Sequence, residues 1–152
     1  MAISNAMATS YKLEIPDGIH AAADVYKALL IKVGATGAYD ATLTNVGTPG
    51  SGAPSTSNVG TDEASGTGYT SGGITLSGRA VTNQGGTACI DFTSPVWATS
   101  SISAIGMVIY NSSKSNKVVG TFSFGGTITS TNGNFTGTMP AVGNTTSVLR
   151  IA

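Results

Sequence analysis

Across 152 residues the chain carries seven Lys or Arg, seven Asp or Glu, one His, one Cys and one Trp, for a formal net charge of zero. Charge this sparse and balanced leaves no electrostatic footprint for nucleic acid or an anionic membrane, and no apolar run approaches the roughly 18 residues that span a bilayer. One Cys with one His can close neither an internal disulfide nor a zinc site.

Gly (21), Thr (22) and Ser (18) make up two-fifths of the sequence, while charged residues account for 9%. That is about a third of the charge on an ordinary soluble surface, and it suits a subunit buried among neighbours better than a free monomer. The length predicts one domain. Residues 1–10 lack the cationic-then-apolar order of a secretory signal and read as a flexible N-terminal arm, leaving 11–152 as the folded unit. Pro16, Asp17 and Gly18 give turn chemistry between Leu13 and His20. The next segment is ambiguous, since Ala21–Ala23 favour helix but Val25, Leu29, Ile31 and Val33 fit strand alternation. It predicts a short helical turn near 19–23 feeding a strand over 25–33.

From 34 to 73 the composition turns to Gly, Ser and Pro. Gly47–Ser57 has almost nothing apolar to bury and predicts an exposed loop. Beyond it, period-two alternation predicts strands over 74–80, 87–92 and 118–124. The run 102–110 is apolar on both faces from Ala104 on, as in a central strand covered on both sides. Asn83–Gly86, Asn111–Asn116 and Thr131–Gly133 predict hairpin turns, and 135–139 and 148–151 close the series. Seven or more short strands at about 12-residue spacing predict an all-β, antiparallel β-sandwich, jelly-roll or Ig-like.

Catalysis needs groups that titrate or attack, held close together, and few are present. His20 lies in a turn-rich stretch near Asp17 and Asp24 and reads as an exposed structural histidine. Cys89 has no neighbouring base and reads as a small packed thiol facing a partner or a second layer. Asp62-Glu63 is an adjacent acidic pair without the further oxygen ligands that Ca²⁺ requires. The glycines at 66, 68, 72 and 73 are followed by no Lys and no helix, which excludes a phosphate loop. Trp97 and Tyr110 fit a core with Phe92, Phe122 and Phe124 better than a carbohydrate platform. No catalytic residue, cofactor or metal is expected, and the chain reads as a non-enzyme.

The stretch Asp62-Glu63-Ala64-Ser65-Gly66-Thr67-Gly68-Tyr69-Thr70-Ser71-Gly72-Gly73-Ile74-Thr75-Leu76 resembles a pattern in small structural proteins of tailed bacteriophages, acidic-x-S-G-x-G-Y-x-x-G-G-x-x-L followed by alternating strands. Val96-Trp97, the strand from Ser101 to Tyr110, Thr121–Gly125 and Asp24–Leu29 are similar to their further segments, so the resemblance spans roughly residues 24–138. It implies a virion component made in the host cytoplasm, of the capsid decoration or cement type, whose partners are the major capsid protein and its own copies as a homotrimer. Tyr11, Leu13, Gly66, Gly68, Tyr69, Gly72 and Gly73 are the expected interface residues, together with the arm and the 34–73 loop. The alternative is a head- or tail-fibre module that binds a host-surface glycan through exposed aromatics.

Overall fold

The computed structural model describes residues 3–143 and 145–152. In chain order these form β1 (Ala6–Met7), α1 (Thr9–Glu14), β2 (Tyr26–Lys32), β3 (Ile74–Thr75), β4 (Ala80–Gln84), β5 (Thr87–Asp91), β6 (Val96–Asn111), β7 (Lys117–Thr136) and β8 (Leu149–Ile151). Two antiparallel sheets result, one ordered β1-β7-β6-β2-β3 and one ordered β4-β5-β8. The all-β, two-sheet architecture read from the alternation is the one observed.

The core follows the pattern that predicts it. Gly106–Asn111 of β6 is buried at every position, and β2 buries Tyr26 and Ala28–Ile31 against it. Tyr26 meets Phe92 with ring centroids 5.5 Å apart, tying the five-stranded sheet to the chain leaving β5. Trp97 stands edge-on to Phe135 at 5.9 Å, and both are buried. Each large ring removes 150–250 Å² from water, which offsets the thin core of a glycine-rich chain.

Five expectations are corrected. Residues 3–10 do not form a free arm: Ala6 and Met7 pair with Thr121 and Gly120, and the Ala8 amide donates to the Val119 carbonyl at 3.0 Å. Ile3 lies against Gly106, where any side chain would meet its Cδ1 at 2.6 Å. That glycine opens a hole for Ile3 about a hundred residues away in sequence. The helix falls at Thr9–Glu14 rather than near 19–23, because the docked arm delivers Tyr11 to the core.

The 34–73 segment is not one exposed loop: its exposed residues fall mainly in 47–58 and 65–71, whereas Tyr39, Leu43, Val46 and Val59 are core. Even the exposed part is ordered, since the Asn58 amide donates to the Ser51 and Ala53 carbonyls at 3.1 Å each. The strand over 74–80 is two strands in different sheets, separated by Gly78 at φ 65°. Thr131–Gly133 is not a hairpin turn. Asn132, at φ 49°, sits where the β6–β7 register shifts, and β7 runs on to Thr136. The turn residues there make a bulge, which re-aims a strand without ending it.

Candidate interaction site

Five of the seven expected interface residues come together in the glycine–tyrosine block, which packs one side on the protein's own strands and leaves Gly66 and Gly68 exposed on the other. The Ala64 amide donates to the Leu30 carbonyl at 2.8 Å, and the Ser101 amide to the Thr67 carbonyl at 2.9 Å. The block therefore straddles β2 and β6. Its glycines are what permits the approach: a side chain at Gly68 would lie 2.9 Å from the Ser100 Cα, and one at Gly66 would meet the Ser101 carbonyl.

Tyr69 is the buckle of this strap. Its hydroxyl accepts from the Leu30 amide at 3.0 Å and donates to Glu63 Oε1 at 2.8 Å, while its ring stacks on Trp97 at 6.1 Å. Glu63 also accepts from the Gly72 amide and from Ser71 Oγ, each at 2.6 Å, and Tyr110 donates to the Gly72 carbonyl at 2.7 Å. Burial first, then the adjacent Glu63 charge, pushes the Tyr69 phenol far above its ordinary pKa, so it remains a donor at physiological pH.

A cleft of about 510 Å³ opens beside the block between Gly50, Thr61, Ser65 and Ser71, with Glu63 in its wall. Glu63 Oε1 accepts from Tyr69 and the Gly72 amide and Oε2 from Ser71, so both oxygens are held by the chain. A second groove of about 320 Å³ runs between Met7, Phe122, Phe124, Pro140 and Leu149, and among the described residues lining it there is no carboxylate or imidazole.

Asp62, beside Glu63, plays the same part on the other side. It is 1% exposed, and its Oδ2 accepts from the Thr36 amide at 2.8 Å, the Gly37 amide at 2.7 Å and the Tyr39 hydroxyl at 2.8 Å. Lys32 Nζ stands 3.6 Å from Oδ1. Burial raises the carboxyl's pKa, but the Gly37 amide, the Tyr39 hydroxyl, the Thr36 amide and Lys32 together outweigh it and hold the group below its ordinary value. The adjacent acids thus clamp two lengths of loop, one each.

His20 is not exposed: its side chain is 2% accessible. Asn111 fixes which ring nitrogen accepts. The Asn111 Oδ1 accepts from the Ser113 amide at 3.1 Å, so its Nδ2 carries the two protons, one directed to Asp24 Oδ2 at 2.8 Å and one to His20 Nδ1 at 3.0 Å. Nδ1 is therefore the acceptor, and the Nε2 proton goes to Glu14 Oε2 at 2.6 Å. Lys117 pairs with Glu14 and Lys114 with Asp24, so each carboxylate has its own cation. Tyr11 packs on the imidazole at 4.5 Å.

This knot fastens α1 and the 15–25 loop to the β6–β7 turn. His20→Ala is expected to cost about 1–3 kcal/mol by leaving Asn111 and Glu14 short of a partner. Urea unfolding checks it; an unchanged midpoint would show the knot to be without structural weight.

The remaining candidates are likewise accounted for within the chain. Cys89 is fully buried and its thiol donates to the Gly143 carbonyl at 3.4 Å. Trp97 and Tyr110, the two rings weighed as a carbohydrate platform, lie in the core. Of the predicted interface residues outside the block, Tyr11 is buried and Leu13 is 70% exposed. Asp62, Glu63 and His20 are the structural anchors that sequence reasoning passed over. Adjacent acids followed by a serine- and glycine-rich run are the one signal that could have found the first two.

Among the described residues no group of three or more His, Cys, Asp or Glu is placed to hold a metal ion. Comparison with known protein families, with curated proteins and with solved structures finds no match for this chain. Two antiparallel sheets, the larger one strapped across β2 and β6 by the glycine–tyrosine block, define its class.

Proposed function

We propose that the protein is a structural component of a bacteriophage virion, of the capsid decoration type, which binds the shell through buried surface and performs no chemistry. The reading starts from the resemblance of residues 24–138 to such proteins. The observation that carries it further is that Asp62, Glu63 and His20 are closed by bonds within the chain. What remains outside is a weakly charged surface rich in Ser, Thr and Gly, with isolated apolar side chains such as Leu13. A decoration protein stabilises a shell by mass action, favouring the assembled state to the extent that it binds that state alone.

Leu13 is the contact to test. Truncating residues 1–10 would also remove Ile3 and Ala8 from the core, so a loss of binding there would not distinguish docking from unfolding. Leu13→Asp leaves the core intact. Mixed with purified heads lacking the protein, the native chain is expected to co-sediment saturably and raise the heat tolerance of the shell. The Leu13→Asp variant should bind about tenfold or more weakly, the equivalent of losing a buried leucine. Absence of any co-sedimentation by the native chain would overturn the proposal, and full binding by the variant would remove Leu13 from the interface.

A further inference from the structure

Open sheet edges invite another strand, and proteins ordinarily guard them with charge, proline, bulges or brevity. Several guards are visible here. β1 and β3 have two residues each, β8 has three and includes Arg150, and β7 is broken by the bulge at Asn132. β4 has none of these. Among the described residues it pairs only with β5, keeps an unbroken register from Ala80 to Gln84, and contains neither a charged residue nor a proline. Val81, at 56% exposure, is second only to Leu13 among the exposed large apolar side chains of the described residues.

The hairpin fixes which backbone groups face outward. Gln84 and Thr87 flank the two-residue Gly85-Gly86 turn, so they form a hydrogen-bonded pair, and such pairs alternate along an antiparallel ladder. The N–H and C=O of Gln84, Thr82 and Ala80 therefore point to β5. Those of Val81 and Asn83 point away from it, to the open side.

We infer that β4 pairs antiparallel with β4 of a second copy about a twofold axis at Thr82, joining two three-stranded sheets into one of six. The outward groups meet this symmetry: Val81 lies opposite the partner's Asn83 and exchanges both hydrogen bonds with it, and the dyad repeats the exchange, four bonds in all. Self-pairing is the occupancy the edge favours because the strand brings no charge to the seam, and Arg79 is carried to opposite ends of it. Two-fold dimers are also the commonest closed assembly. The seam is short against the roughly 1,200–2,000 Å² of a stable interface, so the dimer forms at high local concentration. This pairing stands apart from capsid attachment and needs no shell.

Sedimentation of the full chain from about 5 to about 500 μM, a range that brackets weak association, tests it together with amide hydrogen exchange. The expected result is a monomer–dimer equilibrium in which the Val81 and Asn83 amides slow with concentration while the Thr82 amide does not change. Val81→Lys places a charge on the seam and is expected to raise the dissociation constant about tenfold or more without moving the melting temperature. A monomer throughout the range would overturn the inference, as would a dimer or trimer whose Val81 and Asn83 amides exchange as fast as in the dilute chain.

Discussion

Gly73→Ala is expected to cost about 3–5 kcal/mol, combining an overpacked contact with a strained backbone. Gly73 has φ 73°, and a side chain there would fall on the Ala28 carbonyl and 2.7 Å from the Leu29 Cα. Both atoms belong to β2, a strand paired on both sides, so the obstruction is backbone that cannot swing aside. A useful control is Gly126→Ala, where nothing lies within 4 Å and φ is ordinary; it should stay within about 0.5 kcal/mol of the native chain. Denaturant unfolding compares the two. Equal stability for both variants would mean that the block does not press against β2.

The second large effect is Asp62→Ala, expected to lose about 2–4 kcal/mol because it strands the buried Tyr39 hydroxyl and takes the shared acceptor from the Thr36 and Gly37 amides. Against a typical stability of about 5–15 kcal/mol, that is a large fraction of the whole. The same group gives the protein an acid limit. Its folded pKa lies below the unfolded 3.8, so its contribution is fully present well above pH 3.8 and is lost as pH falls through the folded value. Asp62→Asn retains an acceptor oxygen but no charge, and is expected to lose less at pH 7 and to show a flatter acid limb. An Asp62→Asn limb as steep as the native one would assign acid sensitivity to other carboxyls.

The strands that alternate were legible because alternation is local information: β2, β5 and the doubly buried part of β6 follow directly from their residues. The strap that Tyr69 fastens was not, because Glu63 takes its donors from Tyr69, Ser71 and Gly72 only once the chain has doubled back over β2 and β6. The adjacent acids looked unpartnered because the donors of Asp62 include two backbone amides, at Thr36 and Gly37, and amides carry no sequence signature.

His20 shows the same limit. Its acceptor role is set by Asn111, 91 residues away in sequence, and nothing in a turn-rich stretch announces that. Asn132-Gly133 misled in the opposite direction, since the same positive φ that makes a hairpin turn also makes a bulge, and only the register of β6 distinguishes them. The block's glycines carry a role that their spacing does not announce, close approach to the backbone of β2 and β6, while Gly66 and Gly68 stay exposed on the outer side; Leu13 on α1 is the proposed contact that can be altered without touching the core.

The proposed virion role is tested most directly by whether, and where, the chain is found in intact bacteriophage particles from the same source. Imaging of purified particles, with mass spectrometry of the same sample, is predicted to find the chain at fixed stoichiometry on the outer surface of the head, with α1 toward the shell. Particles that lack the chain altogether would contradict that role.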